Sequence, residues 1–255
     1  TDLNDLGKYI YKNIFEGYSK KQWGIKDPME LDKSVLNRIP VRVNNNSDYF
    51  TDKYQYLPQN GYTDLINNIL DHKLINIICN KNVEINHEMF IDKKSPAKIN
   101  NKTYKHIFYC GMIDQLFNFS EGNLLYRSLN FKKTIHYKDK LCRPSLVTNY
   151  PSNFDFTRIA DYSYIAENTG SSVKKGVICT EFSGEYNKYS EKFNEPYYPY
   201  FIESSKLIYK KYESKLNNLF NITLCGRLAK YKYFDMDDAV CAAFGEIDKC
   251  EWLKT

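Results

Sequence analysis

The stretch Gly176-Val177-Ile178-Cys179-Thr180 is an apolar run whose length is typical of a buried strand. It is the last of several strand-like runs between Tyr126 and Glu185, and turn residues separate each run from the next. Short runs with turns between them predict an antiparallel sheet. The earlier members of the series are Lys132–His136, Leu146–Tyr150 and Tyr162–Ile165.

Helical and strand patterns alternate on both sides of this predicted sheet. Apolar residues recur at helical spacing within residues 1–32, and further helices are predicted over Leu65–Leu70, Ser204–Leu219 and Met236–Glu246. Strands are predicted within Arg38–Tyr56, Ile75–Cys79, His106–Gly111 and Asn221–Leu224. This alternation predicts an α/β fold with an inserted antiparallel β-sheet.

The composition is that of a globular chain with a mild positive charge. The 36 Lys and Arg exceed the 31 Asp and Glu, and the lysines are scattered among acidic residues. Scattered charge fits a pocket for an anionic small molecule better than a nucleic-acid surface. Seven cysteines without a Cys-x-x-Cys pair predict reduced, buried thiols, and four histidines lack the spacing of a metal site. With no apolar run of membrane length, the chain is predicted to be cytoplasmic, without nucleic-acid, metal or membrane partners.

Arginines and tyrosines occur together at several places. Arg38 and Arg42 flank Ile39-Pro40-Val41 on one face of an extended segment, and Arg158 follows a turn that contains Pro and Asn. Arginine pairs bidentately with phosphate oxygens and tyrosine hydroxyls add neutral donors, so the set suits a diphosphate. Each residue alone also has a structural explanation, since a strand arginine is usually solvated or ion-paired and Asp235 has the position of a helix cap.

An ordered series of motifs runs through nearly the whole chain. It begins with Phe15 and Tyr18-Ser19-Lys20-Lys21-Gln22-Trp23, and continues with Arg38-Ile39-Pro40-Val41-Arg42 and Tyr49-Phe50. In this order and spacing the motifs resemble those of the UDP-galactopyranose mutases. The later members are Gly111-Met112-Ile113-Asp114, Thr157-Arg158-Ile159, Glu195-Pro196-Tyr197-Tyr198-Pro199, Gly226-Arg227-Leu228 and Tyr233-Phe234-Asp235-Met236.

The resemblance implies a flavoprotein-like architecture with an incomplete Rossmann-type FAD domain and a helical segment. Residues 1–32 would be the end of a helical substrate domain, and residues 33–56 and 112–205 the antiparallel-sheet, α+β substrate domain. Residues 57–111 and 206–255 would be parts of the FAD-binding domain. No Gly-x-Gly-x-x-Gly follows a strand in this chain, so the glycine-rich FAD turn is expected in a separate or missing N-terminal part.

The resemblance also assigns residue roles. It implies that Phe15, Tyr18 and Trp23 line the uridine and sugar side of the pocket, and that Arg38 and Arg158 hold the diphosphate. Three tyrosines, Tyr49, Tyr198 and Tyr233, would donate to the phosphates, and Asp235 would be a nearby carboxylate of the catalytic set. The cofactor-binding residues implied are Arg227, Tyr233, Asp235 and Met236.

The implied activity is the interconversion of UDP-galactopyranose and UDP-galactofuranose for galactofuranose-containing cell wall or polysaccharide. In the family, N5 of reduced FAD attacks the anomeric carbon and expels UDP, and the sugar ring recloses through another hydroxyl. NAD(P)H is the expected reductant, and a homo-oligomer is a possible assembly.

Two positions after Arg158 depart from the family pattern. The family usually has Glu and then Lys where this chain has Asp161 and Ser163, and we expect this change to loosen the local network. Two alternatives stay open. As alternatives to the mutase, the chain would be a UDP-sugar-binding fragment without independent catalysis or a part of another FAD-dependent oxidoreductase, although the Arg and Tyr set argues against the latter.

Overall fold

The computed structural model describes residues 2–31, 44–46, 50, 52–93, 96–137, 145–168 and 175–250. Its strands are β1 (Ala97–Ile99), β2 (Lys102–Tyr104), β3 (Ile107–Tyr109), β4 (Tyr126–Tyr137), β5 (Val147–Asn149), β6 (Arg158–Asp161), β7 (Lys175–Glu185), β8 (Tyr198–Pro199) and β9 (Ile222–Leu224). Its α-helices are α1 (Leu3–Ile10), α2 (Gly17–Trp23), α3 (Tyr62–Leu70), α4 (Ile113–Leu116), α5 (Ser163–Asn168), α6 (Glu203–Lys215), α7 (Gly226–Ala229) and α8 (Met236–Asp248). A π-helical turn (Tyr11–Glu16) joins α1 to α2, and 3₁₀ turns cover Pro28–Glu30, His87–Phe90 and Leu216–Asn218.

The predicted antiparallel sheet is confirmed. Within the described residues it has five strands in the order β5-β6-β7-β4-β8, and every pairing is antiparallel. The long pair β4 and β7 runs from Arg127 opposite Glu185 to Tyr137 opposite Lys175. The first four residues of β4 are buried, whereas most of those beyond Asn130 are exposed. The Tyr126 end of the sheet therefore belongs to the core, and the other end extends toward solvent.

A second, parallel pairing joins two distant parts of the chain. Ile107 of β3 lies opposite Ile222 of β9, and Tyr109 lies opposite Leu224. Ile107, Tyr109 and Leu224 are buried, as parallel strands usually are. The mixture of helices with parallel and antiparallel strands confirms the broad fold class. The Rossmann-type and flavoprotein features, and the division into domains, stay predictions.

The largest core cluster lies between α4, β4 and α6. The ring of Tyr212 stacks on Phe117 with 5.6 Å between centroids, and neither side chain is more than 1% exposed. The Tyr212 hydroxyl donates to the Gly122 carbonyl at 2.6 Å and accepts from the Glu121 amide at 3.0 Å. Burial of a tyrosine is favourable here because its polar end is satisfied. Other members with less than 3% exposure are Phe90, Ala97, Ile113, Leu116, Tyr126 and Ala229.

The helix α2 is held against the loop that precedes β6. The Lys21 ammonium donates to the backbone carbonyls of Tyr150, Ser152 and Phe156, the last two at 2.9 Å. Gly17 permits this approach, because a Cβ at that position would meet the Pro151 carbonyl oxygen. One lysine thus satisfies three carbonyls of an irregular segment and brings α2 beside the sheet.

Replacing Lys21 with methionine is expected to lower the free energy of unfolding by about 2 kcal/mol, because the loop carbonyls lose a charged donor. The neighbouring Lys20 is the matched control. Within the described residues it forms an i,i+4 pair with Glu16 at 2.6 Å on a solvent-accessible face, where water screens the charges, and Lys20→Met should leave the free energy of unfolding close to that of wild type. Urea unfolding of both variants measures the difference, and equal losses would contradict the role given to Lys21.

Two predicted strands are wrong. Residues 75–79 form no strand and pair with no described strand, and Ile75, Ile77 and Ile78 are each more than 40% exposed. Apolar composition alone does not make a strand, and none of the described strands pairs with this segment. The predicted strand Tyr162–Ile165 is mostly helical, since the Asp161 carboxylate accepts the Ser163 amide at 3.1 Å and starts α5 there. Most of the predicted segment 38–56 lies outside the described residues, and residues 52–56 are not in a strand.

The prediction of buried cysteines is confirmed for some thiols and wrong for others. Cys179, Cys225 and Cys250 are buried, whereas Cys79, Cys110 and Cys241 are exposed. The exposed thiols lie on the unpaired segment 75–79, just after β3, and on α8, where nothing in the described chain covers them. No described helix has both the length and the apolar composition that crossing a membrane requires.

Candidate active site

Arg158 stands at the start of β6 with its guanidinium held from two sides. Its Nη2 donates to the Tyr18 hydroxyl at 3.0 Å, and its Nε lies 3.0 Å from the Glu181 carboxylate on β7. Glu181 also accepts from the Thr157 hydroxyl at 3.2 Å. Within the described part of the chain, Arg158 Nη1 makes no hydrogen bond. The geometry therefore orients the guanidinium through Nη2 and Nε.

Glu181 is a functional candidate that the sequence reasoning missed. Glu181 is buried, and its Cα lies directly opposite that of Arg158 in the pairing of β6 with β7. The only signal in the sequence is an acidic residue directly after the apolar run 176–180, which does not distinguish an inward carboxylate from an outward one. Burial raises the pKa of Glu181, and the Arg158 charge and the Thr157 hydrogen bond oppose that shift.

This raised pKa predicts a pH dependence of stability. Because the folded protein holds the Glu181 proton more tightly than the unfolded chain, the stability from this group is present below the ordinary carboxyl pKa and is lost as pH rises through the folded-state pKa. We expect wild type to lose free energy of unfolding relative to Glu181→Gln between about pH 4 and pH 7. Urea unfolding across that range measures it, with exposed Glu185→Gln on the same strand as control. Parallel pH curves for wild type and Glu181→Gln would refute it.

A group of aromatic rings packed around one arginine lies near the pair of Arg158 and Glu181. The rings of Tyr198 and Tyr233 are parallel within 3°, with centroids 5.9 Å apart. The Arg227 guanidinium carbon lies 4.8 Å from the Tyr198 centroid and 4.7 Å from that of Tyr233. Trp23 packs edge-on to Tyr198 at 5.9 Å and to Phe201 at 6.0 Å. These contacts fix the two tyrosines by cation–π and aromatic packing.

Arg227 is held by the backbone as well as by the rings. Its Nη1 donates to the Tyr197 carbonyl at 3.3 Å, and its Nη2 donates to the Phe234 carbonyl. The preceding Gly226 has φ 77°, a left-handed conformation that glycine adopts without strain, at the start of α7. The charge of Arg227 is thus placed between β8 and the turn that leads into α8.

Arg127, like Glu181, is a residue to which the sequence reasoning gave no role. It is buried, and its Nε and Nη2 donate to the Gln22 and Lys21 carbonyls at 3.0 and 3.2 Å. Gly24, with φ 68°, ends α2 there, and a Cβ at Gly24 would lie 2.5 Å from the guanidinium. Burial lowers the pKa of Arg127. This arginine caps α2 and so fixes the helix that carries Tyr18 and Trp23.

Asp235 and Met236 lie at the start of α8. Asp235 is the N-cap of α8 and forms a capping box with Asp238, whose carboxylate accepts the Asp235 amide at 3.4 Å. The structural explanation for Asp235 therefore holds. Both residues also line a cavity of about 680 Å³, whose other lining residues are Phe50, Asp52, Tyr56, Leu57, Pro58, Tyr62, Leu65, Arg227, Asp237 and Asp238.

The structure brings most of the predicted site residues together, in two adjoining groups. Tyr18 meets Arg158, whereas Trp23, Tyr198, Tyr233 and Arg227 form one continuous stack. Phe15 is half-buried on the π-helical turn and makes no ring contact with a described residue. Three predicted phosphate-binding residues, Arg38, Arg42 and Tyr49, lie outside the described residues.

Comparison with protein families supplies the observation that decides the family. The model of the UDP-galactopyranose mutase family matches residues 13–233, which is most of the chain. The chain belongs to the UDP-galactopyranose mutase family. The resemblance seen in the sequence motifs is thereby confirmed. The family match includes every predicted site residue except Asp235 and Met236, which follow its last residue.

Curated relatives agree with the family match. The chain is 36% identical over 240 residues to the dTDP-fucopyranose mutase of Escherichia coli, which covers 92% of the chain and 59% of the relative. It is 34% identical over 248 residues to a probable UDP-galactopyranose mutase of Klebsiella pneumoniae (97% of the chain, 59% of the relative). It is 36% identical over 237 residues to the UDP-galactopyranose mutase of Mycoplasma genitalium (92% and 57%). The chain thus spans less than two thirds of the length of these relatives.

Proposed function

We propose that this chain forms the substrate-binding part of a UDP-galactopyranose mutase, an intramolecular transferase that interconverts UDP-galactopyranose and UDP-galactofuranose. The observation that carries the proposal is the Arg158 guanidinium, oriented by Glu181 and by Tyr18 of α2, the helix whose Trp23 packs on the Tyr198 ring. A fixed guanidinium next to aromatic rings suits a nucleotide diphosphate, since the first pairs with phosphate oxygens and the second with planar groups.

Each residue has a part in this proposal. Arg158 would bind the diphosphate through Nη1, and Glu181 would keep the guanidinium in its present orientation. The hydroxyls of Tyr18, Tyr198 and Tyr233 would donate to the same phosphates. UDP must stay bound while the sugar ring opens and recloses, because the reaction ends by joining sugar to UDP again. Holding the departed nucleotide in place converts its return into an intramolecular step, which is the main contribution of these side chains.

The residues around α8 fit one part of FAD. The cavity of about 680 Å³ has apolar walls of tyrosine, leucine and proline, and Arg227 and four aspartates add polar groups, which suits a planar ring system with apolar faces and hydrogen-bonding edges. The N-terminus of α8 is already capped by Asp235 and Asp238, and carboxylates there would repel a pyrophosphate. Arg227, Met236 and the cavity walls would therefore hold the flavin ring, and other residues would hold the pyrophosphate. Bound and reduced by NAD(P)H, the flavin would supply its N5 as the nucleophile toward the anomeric carbon.

The parallel pairing of β3 with β9 supports the proposed division of the chain. It joins residues 57–111 to residues 206–255, the two parts assigned to the FAD-binding domain. The antiparallel sheet carries Arg158 and Glu181, the residues assigned to the substrate. In this proposal the product supplies galactofuranose to cell wall or polysaccharide.

A second substrate follows from one specific observation. The Escherichia coli relative named a dTDP-fucopyranose mutase is as similar to this chain as the Mycoplasma genitalium UDP-galactopyranose mutase is, at 36% identity each. A diphosphate site built from arginine and tyrosine binds either nucleotide sugar. The two sugars differ at the 6-hydroxyl and the two nucleotides at the base and ribose, so only a substrate comparison separates them.

The test uses the complete coding sequence that contains this chain, loaded with FAD and reduced with dithionite. UDP-galactofuranose and dTDP-fucofuranose are supplied separately, and the pyranose products are resolved by chromatography, with the 255-residue chain alone in parallel. UDP-galactopyranose that forms only with reduced flavin supports the proposal, and turnover of the fucose compound alone would replace its substrate. Binding of UDP without product from any form would leave a nucleotide-sugar-binding protein. Oxidation of an amine or alcohol substrate would indicate another flavin oxidoreductase.

A further inference from the structure

A buried polar cluster lies at the opposite end of β6 from Arg158. The Asp161 carboxylate accepts the Ser163 amide at 3.1 Å and the Ser163 hydroxyl through the same oxygen. The His136 Nε2 of β4 lies 3.4 Å from that oxygen. Asp161 and Ser163 are at most 1% exposed. The cluster therefore joins β4, β6 and the start of α5, with Asp161 and Ser163 buried and the His136 side chain 14% exposed.

The contact between β4 and β6 depends on a glycine in the strand between them. In the sheet order, β7 separates β6 from β4, and Gly176 of β7 is the Cα partner of His136. A Cβ at Gly176 would lie 2.6 Å from His136 Nε2 and 2.8 Å from Ser163 Cβ. Any side chain there would have to displace one of them. The missing Cβ is thus what lets the imidazole reach across β7 to Asp161.

A buried polar cluster of this kind contributes little net stability to a fold. Burying a carboxylate is unfavourable unless it is well paired, and among the described residues neither Asp161 Oδ2 nor His136 Nε2 has a hydrogen-bond partner, so the 3.4 Å approach of the imidazole is a packing and electrostatic contact. Such groups are better explained by specificity of geometry than by net stability. The strand that needs this specificity is β6, which has four residues and pairs on its outer edge with only three residues of β5. So short a ladder specifies its register weakly, and a slip of one residue would turn Arg158 to the other face of the sheet.

We propose that His136, Asp161 and Ser163 are positioning residues for the nucleotide diphosphate: they hold β6 in register on β7 and thereby hold the Arg158 guanidinium. The ion pair of Arg158 with Glu181 fixes one end of β6, and the cluster fixes the other, about 10 Å away along the strand. The expected loosening at Asp161 and Ser163 is then replaced by a network of this chain's own. The inference rests on the proposed function, because it names what positions the diphosphate site.

The test measures UDP affinity by titration calorimetry, using the full-length protein with oxidised flavin so that no turnover occurs. We expect His136→Gln and Asp161→Asn each to weaken UDP binding about tenfold, which corresponds to about 1.4 kcal/mol. Gly176→Ala, which alters no polar group of the cluster, should weaken it similarly. The control is Ile159→Val on the same strand, which should lower stability by about 1 kcal/mol and leave UDP affinity unchanged.

A double-variant cycle with Arg158→Ala separates positioning from general damage. In that background there is no guanidinium to orient, so adding His136→Gln or Asp161→Asn should change UDP affinity little further. Unchanged affinity in the single variants, or equal weakening in both backgrounds, would overturn the inference. If Asp161→Asn fails to fold, His136→Gln, at the more exposed end of the contact, decides the result. Failure of wild type to bind UDP would instead refute the proposed function itself.

Discussion

Replacing Arg158 with alanine is expected to lower kcat/KM for UDP-galactofuranose by about 100- to 1000-fold. The guanidinium sits between Tyr18 and Glu181, and in the proposed function its Nη1 binds the diphosphate. Its loss removes a charged donor from the diphosphate both before and after UDP departs. It also leaves the buried Glu181 carboxylate unpaired, and the repulsion between this carboxylate and phosphate adds to the effect. Steady-state kinetics with reduced enzyme measures the change.

Two controls make this result specific. Arg158→Lys keeps the charge but loses the planar fork, and should retain activity between that of wild type and alanine. Arg158→Ala combined with Glu181→Gln removes the unpaired carboxylate, and should recover part of the lost affinity for UDP but not the lost turnover. Near-normal kcat/KM in folded Arg158→Ala protein would show that this arginine does not bind the diphosphate.

The second large effect concerns stability. Asp114→Ala is expected to lower the free energy of unfolding by about 4 kcal/mol, because it leaves several buried donors without an acceptor. Its carboxylate accepts from the Leu124 amide at 2.9 Å, the Gln115 amide at 3.0 Å and the Tyr126 hydroxyl at 3.4 Å. The residue is 2% exposed, so water cannot replace it. Urea or thermal unfolding of the full-length protein measures the loss.

The control for Asp114 is an aspartate without such contacts. Asp71, which follows α3, is exposed, and Asp71→Ala should change the free energy of unfolding by no more than about 0.5 kcal/mol. Asp114→Asn keeps the side-chain shape and one acceptor, so its loss should lie between those of the two alanine variants. A loss below about 1 kcal/mol for Asp114→Ala would mean that the loop 117–124 rearranges to satisfy its own amides.

Much of the architecture was predictable because local patterns and final contacts agree. The runs at residues 132–136, 146–150 and 176–180 became strands of one antiparallel sheet, since their side chains alternate or are apolar and turns separate them. Helices at residues 204–219 and 236–246 followed from apolar spacing in the same way. Where no described strand lies alongside, as at residues 75–79, or where a side chain accepts the first amide of a helix, as Asp161 does, the local pattern misled.

The site was predictable only for the residues that belong to the motifs. The ordered motifs identified Arg158, Tyr18, Trp23, Tyr198, Tyr233 and Arg227, and the structure places them in two adjoining groups. Residues that serve the site indirectly were not recognised. Glu181 and Arg127 carry no local signature in the sequence. The ion pair of Glu181 and the helix cap made by Arg127 form only when residues that are distant along the chain come into contact.

The sequence by itself determined the family, the alternation of helices and strands, and the presence of arginines and tyrosines suited to a diphosphate. These properties follow from the composition, the periodicity of apolar residues and the order of the motifs, none of which requires knowledge of tertiary contacts. Only the tertiary structure decided that Arg158 contacts Tyr18 and Glu181, that Asp235 caps α8, and that His136 reaches Asp161 across Gly176. Such facts depend on the register of strands that are distant along the chain, and local propensity does not encode that register.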